Sequence, residues 1–158
     1  MVHGKIEQFG TLNGQNLMLF TLTNTDGQYV EITNYGGIVH AWHCKDLENV
    51  TADILLGCKN LNDYTERHPY FGAITGRYAN RISFGKFAID DETFQLSTNL
   101  HPHHLHGGLQ GLDSKIWDYS IIEKGDKITL SLTAFSPHLE DGYPGNLHVK
   151  VDYTYTNQ

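Results

Sequence analysis

Strict alternation of apolar and polar residues near the end of the chain is the feature that most restricts its possible folds. In KITLSLTAF, residues 127–135, apolar side chains occupy every second position, and LHVKVDYTYT, residues 147–156, repeats the pattern. The apolar positions are Ile128, Leu130, Leu132, Ala134, Leu147, Val149, Val151, Tyr153 and Tyr155. Because successive side chains of a β-strand point to opposite faces, this period predicts strands that bury one face and expose the other.

The rest of the chain supports an all-β architecture. No long segment has helical periodicity, and only a short helical turn is expected, within KNLNDYTE, residues 59–66. Two hairpins are predicted, one turning at Thr-Asp-Gly, residues 25–27, and one at Asp-Asp, residues 90–91. With strands spaced by about ten residues, the expected fold is an antiparallel β-sandwich, and residues 1–158 are expected to belong to a single domain.

The C-terminal strand raises the question of what lies beside it. YTYTNQ, residues 153–158, ends the sequence while the alternation is still running. An uncovered edge strand offers unpaired backbone groups and favours aggregation, so proteins normally protect it. We therefore expect this strand either to lie centrally in its sheet or to pair with another polypeptide or a second copy of the chain. The sandwich itself is expected to be incomplete at its C-terminal end.

Charge and composition argue against several classes of partner. The chain has 11 Lys+Arg against 18 Asp+Glu, a formal net charge of -7, and no cluster of basic residues. This argues against binding to nucleic acid or to an anionic membrane. The first ten residues lack the apolar segment of a signal peptide, and no apolar run is long enough to span a bilayer. Cys44 and Cys58 match no zinc or redox spacing, so a cytoplasmic location is the expectation.

The segment HPHHLHGG, residues 101–108, contains four histidines and allows two interpretations. His101, His103 and the loop-borne His106 can converge on a metal ion, because alternate residues of a strand share a face. The simpler interpretation is a solvated loop in which His101, His103 and His104 have no specific role. His106 differs because two glycines follow it, and glycines allow the backbone to pass close to a ligand. An imidazole held there is a candidate for hydrogen bonding in a cleft.

A second polar segment is GRYANRISFG, residues 76–85. Arg77 and Arg81 are four residues apart and would share a face in a strand, whereas in a turn Asn80 would lie beside Arg81. Asn offers a donor and an acceptor and Arg a planar set of donors, which together suit the hydroxyl groups of a sugar. The alternative is a surface salt-bridge pair beside an Asn turn.

A third polar segment is SPHLEDGYPG, residues 136–145, whose prolines and glycines predict a rigid loop. Glu140 and Asp141 are possible general bases. Acids beside glycines in loops more often accept hydrogen bonds from backbone N–H groups, so we interpret both as structural.

Taken together and in order, these segments resemble the aldose 1-epimerase (galactose mutarotase) family. The matching elements are GRYANRI, LHGG followed by GLDSKIWD, and SPHLEDGYPGNL leading into VDYTYT. The resemblance implies a β-sandwich of the galactose-mutarotase type and interconversion of the α- and β-anomers of aldohexoses such as galactose and glucose. It also implies that no metal or organic cofactor takes part, because positioned side chains transfer the protons.

The resemblance assigns roles to three residues. Asn80 and Arg81 match the family's sugar-binding Asn-Arg pair, and His106 matches its active-site histidine. The family's acid histidine, a further sugar-binding aspartate and its base glutamate come from later motifs, which have no counterpart in this sequence. The chain therefore resembles an N-terminal half, and the 158 residues alone are expected to have little or no activity.

Two other hypotheses remain open from the sequence. One is a non-catalytic carbohydrate-binding module of the same fold that retains Asn80, Arg81 and His106. The other is a metal-binding β-sandwich built on the histidine segment.

Overall fold

The computed structural model describes residues 2–66 and 70–157. Within these ranges the chain forms twelve strands and one short helix. Their bounds are β1 (His3–Leu12), β2 (Gln15–Thr23), β3 (Tyr29–Thr33), β4 (Val39–Lys45), β5 (Thr51–Asp53), α1 (Leu61–Glu66), β6 (Arg81–Ile82), β7 (Lys86–Ile89), β8 (Glu92–Gln95), β9 (His104–Leu105), β10 (Asp118–Lys124), β11 (Lys127–Ser136) and β12 (Leu147–Thr156).

The first five strands form one antiparallel sheet in the order β1-β2-β3-β4-β5. The predicted hairpin between β2 and β3 is confirmed. The Asn24 side chain closes its turn, because Oδ1 accepts hydrogen bonds from the backbone N–H groups of Asp26 and Gln28, each over 3.0 Å. Gly27 adopts φ +77°, a conformation that favours glycine.

Strands β10, β11 and β12 form a second antiparallel sheet in that order. The predicted alternation is confirmed, since Ile128, Leu130 and Leu132 are fully buried and the apolar residues of β12 are half-buried on the same face. The register places Leu130 opposite Tyr153 and Leu132 opposite Val151. Strand β12 lies at the edge, because within residues 2–66 and 70–157 no strand pairs with its outer side. The expectation of a central position is therefore wrong for the part of the chain described.

The two sheets pack face to face, which confirms the antiparallel β-sandwich. Apolar side chains of β2 and β3 meet those of β11 in one cluster, closed at one end by Trp117. Trp117 is 1% exposed, and its indole N–H donates to the carbonyl oxygen of Leu112 over 3.0 Å. Burial of this indole stabilises the sandwich without leaving its polar atom unpaired.

The expected helical turn is a six-residue helix, α1, on the outer side of the first sheet. It begins after Asn60, whose Oδ1 accepts the backbone N–H of Asp63 over 3.2 Å as a helix cap. Leu61 and Tyr64 are buried against Leu17 and neighbouring residues. In the part of the chain that the structure describes, no helix is long and apolar enough to cross a membrane.

Two small antiparallel strand pairs come after the first large sheet and before the second in chain order. Strands β7 and β8 form the second predicted hairpin, confirmed with Ile89 opposite Glu92 across the two-residue turn at 90–91. Strands β6 and β9 are separated by 21 residues of sequence, and their register pairs Arg81 with Leu105 and Ile82 with His104. This short ladder brings two of the polar segments together.

Candidate functional site

The ladder between β6 and β9 places Asn80 beside His106. The backbone N–H of His106 donates to the carbonyl oxygen of Asn80 over 3.0 Å, and the backbone N–H of Asn80 donates to Nδ1 of His106, also over 3.0 Å. Both residues adopt left-handed backbone conformations, with φ +69° for Asn80 and +52° for His106. Such conformations are uncommon for residues other than glycine, and here the reciprocal hydrogen bonds hold them.

The bond to Nδ1 determines which nitrogen of His106 carries the proton. A backbone N–H can only donate, so Nδ1 must present its lone pair, and the neutral ring carries its hydrogen on Nε2. Among the residues described, none forms a hydrogen bond with Nε2. The ring is half-buried and lies 4.6 Å from the ring of Tyr70, measured between centroids. With respect to residues 2–66 and 70–157, His106 therefore has an N–H donor without a partner on a fixed ring.

Three effects keep this ring neutral. Burial lowers the pKa of His106 below its ordinary value of 6.5, and the positive charge of Arg81 lowers it further. Protonation of Nδ1 would in addition break the hydrogen bond from Asn80. At neutral pH the group is a hydrogen-bond donor without charge.

Arg81 lies at the exposed rim of the same cluster. Its Nη1 donates to the side-chain oxygen of Asn80 over 3.1 Å, which orients the amide and leaves further guanidinium N–H groups for a ligand. On its other side, Arg81 borders a largely apolar cavity of about 600 Å³. The residues lining that cavity are Arg77, Tyr78, Arg81, Ile82, Phe87, Ile89, Tyr143, Pro144 and Leu147. The structure thus brings Asn80, Arg81 and His106 together, whereas of these three only Arg81 lines the cavity.

The glycines after His106 are required by close packing within the chain. Gly107 has φ +102°, and a Cβ atom there would lie 1.7 Å from the carbonyl oxygen of Gly76. A Cβ atom on Gly108 would lie 2.3 Å from Oδ1 of Asp141. Both positions confirm that the backbone passes close to other atoms, and in this structure those atoms belong to the protein itself.

Asp141 and Glu140 have structural contacts, as the sequence predicts. The Asp141 carboxylate accepts the backbone N–H groups of Leu109 and Gln110, each over 2.8 Å, and the hydroxyl of Ser97. Glu140 pairs with Lys115 over 2.5 Å and accepts the hydroxyl of Ser136. Both carboxylates are therefore occupied in joining loops.

Arg77 does not share a face with Arg81. Its guanidinium donates to the hydroxyl and carbonyl oxygens of Ser136 and to the carbonyl oxygens of Pro137 and Pro144, all over 2.9 Å. The guanidinium carbon Cζ of Arg77 also lies 5.6 Å from the centre of the Tyr143 ring. Arg77 precedes β6 in a loop, so the strand spacing that would align it with Arg81 does not apply, and its role is to hold the loop of residues 136–145.

The interpretation of His104 as a solvated histidine is wrong. His104 is fully buried because it faces inward from β9. Its Nδ1 donates to the carbonyl oxygen of Ser97 over 2.7 Å, and its Nε2 accepts the hydroxyl of Tyr143 over 2.7 Å. His103 is half-buried and accepts the backbone N–H of Phe84 over 3.2 Å, while His101 is exposed.

The described residues contain no cluster of metal ligands that would support the metal-binding hypothesis. In the described ranges, no three His, Cys, Asp or Glu side chains come close enough together to hold a metal ion. His103 and His104 have different hydrogen-bond partners, the backbone of Phe84 and the carbonyl oxygen of Ser97.

Asp113 is a buried acid that the sequence reasoning missed. It is the middle residue of a 3-10 turn, Leu112–Ser114, and its Oδ1 is buried without a hydrogen-bond partner among the described residues. Burial raises the pKa of Asp113 to about 6, the hydrogen bond from its own backbone N–H acts against this, and the charge of Asp141 adds to it. Two features of the sequence indicate that this segment packs into the core. Leu112 precedes Asp113, and Trp117 follows it four residues later.

Comparison with known proteins decides the family. The family model described as aldose 1-epimerase matches residues 18–158. This chain belongs to the aldose 1-epimerase family. The resemblance inferred from the sequence motifs is therefore confirmed.

Individual members of the aldose 1-epimerase family extend the comparison. The chain is similar to the galactose mutarotase of Sus scrofa, with 38% identity over 130 residues, covering 82% of this chain and 37% of that protein. The aldose 1-epimerase of Haemophilus influenzae is 39% identical over 153 residues, covering 94% of this chain and 42% of that protein. The chain thus spans about two fifths of the length of these relatives.

A solved structure supports the same fold. The galactose 1-epimerase from Lactobacillus acidophilus superimposes on 99% of this chain with a TM-score of 0.88 and 27% sequence identity. The superposition covers 46% of that longer chain. The predicted β-sandwich of the galactose-mutarotase type is confirmed.

Proposed function

We propose that this chain forms one wall of the active site of an aldose 1-epimerase that interconverts the α- and β-anomers of aldohexoses such as galactose and glucose. The observation that carries the proposal is the neutral His106 ring, fixed through Nδ1 and offering its Nε2–H beside Asn80 and Arg81. The names of the similar proteins support the reaction class.

The proposed contacts follow from the donors and acceptors of the site. Nε2–H of His106 donates to a sugar oxygen near the anomeric carbon, and the Arg81 guanidinium with the Asn80 amide binds neighbouring hydroxyls. Because Asn80 and His106 are held by backbone hydrogen bonds, these donors are oriented before a sugar arrives.

The reaction requires two proton transfers. A base takes the proton of the anomeric hydroxyl while an acid protonates the ring oxygen, so the bond between the anomeric carbon and the ring oxygen breaks. The resulting aldehyde rotates, and the ring closes on the other face with the transfers reversed. Positioned side chains suffice for these steps, and no cofactor is proposed.

We place the principal acid and base outside these 158 residues. Glu140 and Asp141 are engaged with Lys115 and with backbone N–H groups, so neither is free to act as a base. The matched regions cover 42% of the Haemophilus influenzae protein and 46% of the Lactobacillus acidophilus chain, so more than half of each relative lies outside them and leaves room for both groups. We therefore infer that residues 1–158 are the N-terminal part of one sandwich domain and that the chain alone is nearly inactive.

The test combines binding with turnover. Chemical shifts of the Asn80 and His106 backbone amides are followed by NMR as D-galactose is added, with galactitol, which has no anomeric carbon, as the control ligand. Optical rotation of fresh α-D-galactose is followed with and without the chain. We expect shifts with galactose that are weakened in His106→Ala and retained in His101→Ala, and no acceleration of mutarotation.

The outcomes separate the parts of the proposal. Absence of galactose binding would contradict the assignment of the site. Acceleration that disappears in His106→Ala would support the reaction but place sufficient proton-transfer groups within this chain. Equal binding of galactose and galactitol would favour a general carbohydrate-binding surface instead.

We further propose a cytoplasmic location and an association through β12. Cys44 and Cys58 are both free thiols, which suits a reducing compartment. The outer edge of β12 presents backbone groups to which a complementary polypeptide or a second copy can add a strand. Cell fractionation and sedimentation at increasing concentration test these two statements separately.

A further inference from the structure

A buried carboxyl group lies beneath the loop that carries His106. Asp113 is 6% exposed, and its Oδ1 has no hydrogen-bond partner in the residues described. An ionised carboxylate oxygen that is buried and unpaired is costly. A group in this position therefore either keeps its proton or disturbs its surroundings when it loses it.

The atoms around this carboxyl group include the backbone of the His106 loop. A Cβ atom on Gly111 would lie 2.4 Å from Oδ1 of Asp113 and 3.0 Å from the carbonyl oxygen of His106. Both oxygens therefore pack against the same glycine. An unpaired negative charge on the buried carboxyl group therefore lies against the segment that leads from His106 to Gly111.

The surroundings of Asp113 also favour its protonated form. Burial is the main cause that raises the pKa of Asp113 to about 6, and Asp141, from the loop of residues 136–145, adds its negative charge. The pKa values of Tyr35 and Tyr70 are raised chiefly by burial and also by the charge of Asp113. Only the backbone N–H of Asp113 itself favours its ionised form.

We propose that Asp113 is a positioning residue for His106 that acts as a neutral acid, its proton keeping an uncompensated buried charge away from residues 106–111. With the proton in place, the loop is held in the conformation in which His106 accepts the N–H of Asn80. Loss of the proton leaves a buried, unpaired carboxylate beside Gly111 and loosens the loop. The inference rests on the proposed function only in making His106 the sugar-contacting residue, and its test uses no sugar.

The substitution that tests the proposal is Asp113→Asn. The amide has nearly the same shape, carries no charge and can donate a hydrogen bond at every pH. Hydrogen exchange of the amides of Asn80, Gly108 and Leu112 is measured from pH 5 to pH 8 in both proteins. Because His106 titrates in both proteins, the change in exchange rate that is caused by Asp113 is the difference between the two pH profiles.

We expect the wild-type chain to show an additional loosening with a midpoint near pH 6 that Asp113→Asn lacks. The folded state binds this proton more tightly than the unfolded state, whose carboxyl has the ordinary pKa of 3.8. Stability is therefore highest below that value and falls as the pH rises to about 6. Relative to Asp113→Asn, the folding equilibrium constant should fall on the order of 100-fold between pH 4 and pH 7.

A control and a direct measurement complete the test. Asp118→Asn removes the same charge from an exposed position nearby and should retain the wild-type curve. The side-chain carboxyl carbon of Asp113 should titrate near pH 6 in the wild-type chain. A midpoint below about 4.5, the same pH step in Asp113→Asn, or a loop in that variant that is loose at every pH would each overturn the proposal.

Discussion

The backbone N–H of Asn80 donates to Nδ1 of His106, and the backbone N–H of His106 donates to the carbonyl oxygen of Asn80, so two segments distant in sequence hold each other. The first of these bonds uses the lone pair of the imidazole and so determines its tautomer. Asn80 and His106 are therefore parts of one hydrogen-bonded unit.

The first prediction concerns the ionisation of His106. At neutral pH the ring should carry its proton on Nε2, and its pKa should lie below 6.5 because burial and Arg81 disfavour the charged form. The lower pKa means that the folded chain gains stability as the pH rises through this range. Nitrogen-15 shifts of the imidazole, with exposed His101 as reference, measure both properties. A proton on Nδ1 would contradict the geometry.

The second prediction concerns Gly107. Gly107→Ala should destabilise the fold by about 3 kcal/mol or more, because the new Cβ would collide with the carbonyl oxygen of Gly76 in addition to straining the backbone. Gly125→Ala is the matched control, with φ +64° and nothing within 4 Å of the added atom. It should cost about 1 kcal/mol, from backbone strain alone. Urea denaturation measures both values, and equal costs would refute the close packing at Gly107.

The third prediction separates two adjacent histidines. His104→Ala should cost about 2–4 kcal/mol, because it opens a buried space and leaves the carbonyl of Ser97 and the hydroxyl of Tyr143 unpaired. His103→Ala loses one longer hydrogen bond at a half-buried position and should cost about 1 kcal/mol or less. Thermal or urea denaturation gives the comparison. A larger loss in His103→Ala would show that the assignment of inward and outward faces is wrong.

The fourth prediction separates two arginines. Arg77→Lys should cost about 2 kcal/mol in folding free energy, because a single ammonium group cannot replace a guanidinium that donates to Ser136, Pro137 and Pro144 together. Arg81→Lys should leave stability within about 0.5 kcal/mol of wild type, since Arg81 is exposed.

Sugar binding should respond in the opposite way. Arg81→Lys should weaken the binding of galactose, whereas Arg77→Lys should leave it unchanged in protein that remains folded. The NMR titration described for the proposed function measures this. Loss of binding in Arg77→Lys alone would move the site toward the loop of residues 136–145.

Much of the fold is predictable because it depends on periodicity. The alternating residues of β11 and β12 indicate their buried faces directly, and the Thr-Asp-Gly and Asp-Asp segments indicate their turns. The length of α1 is less predictable, because its six residues are stabilised mainly by packing of Leu61 and Tyr64 against the sheet. The local sequence contributes little more than the cap at Asn60.

The site is predictable only in part, because its assembly depends on contacts distant in sequence. The motifs predict Asn80, Arg81 and His106 as site residues, and the ladder between β6 and β9 brings the three together. The burial of His104 and Asp113 follows from tertiary packing that the local composition of polar, glycine-rich segments does not reveal. The same holds for Arg77, whose partners lie about sixty residues later in the chain.

The left-handed conformations of Asn80 and His106 have a consequence for ligand affinity. A loop that orders only when a ligand binds loses conformational entropy at that moment, and the observed affinity is reduced accordingly. Here the ordering has already occurred during folding, and the energy stored in two unfavourable backbone conformations is compensated by the hydrogen bonds between them. A sugar that binds at the proposed site would meet donors with little freedom left to lose, so the thermodynamics of its binding should be determined by displacement of water from Arg81 and His106.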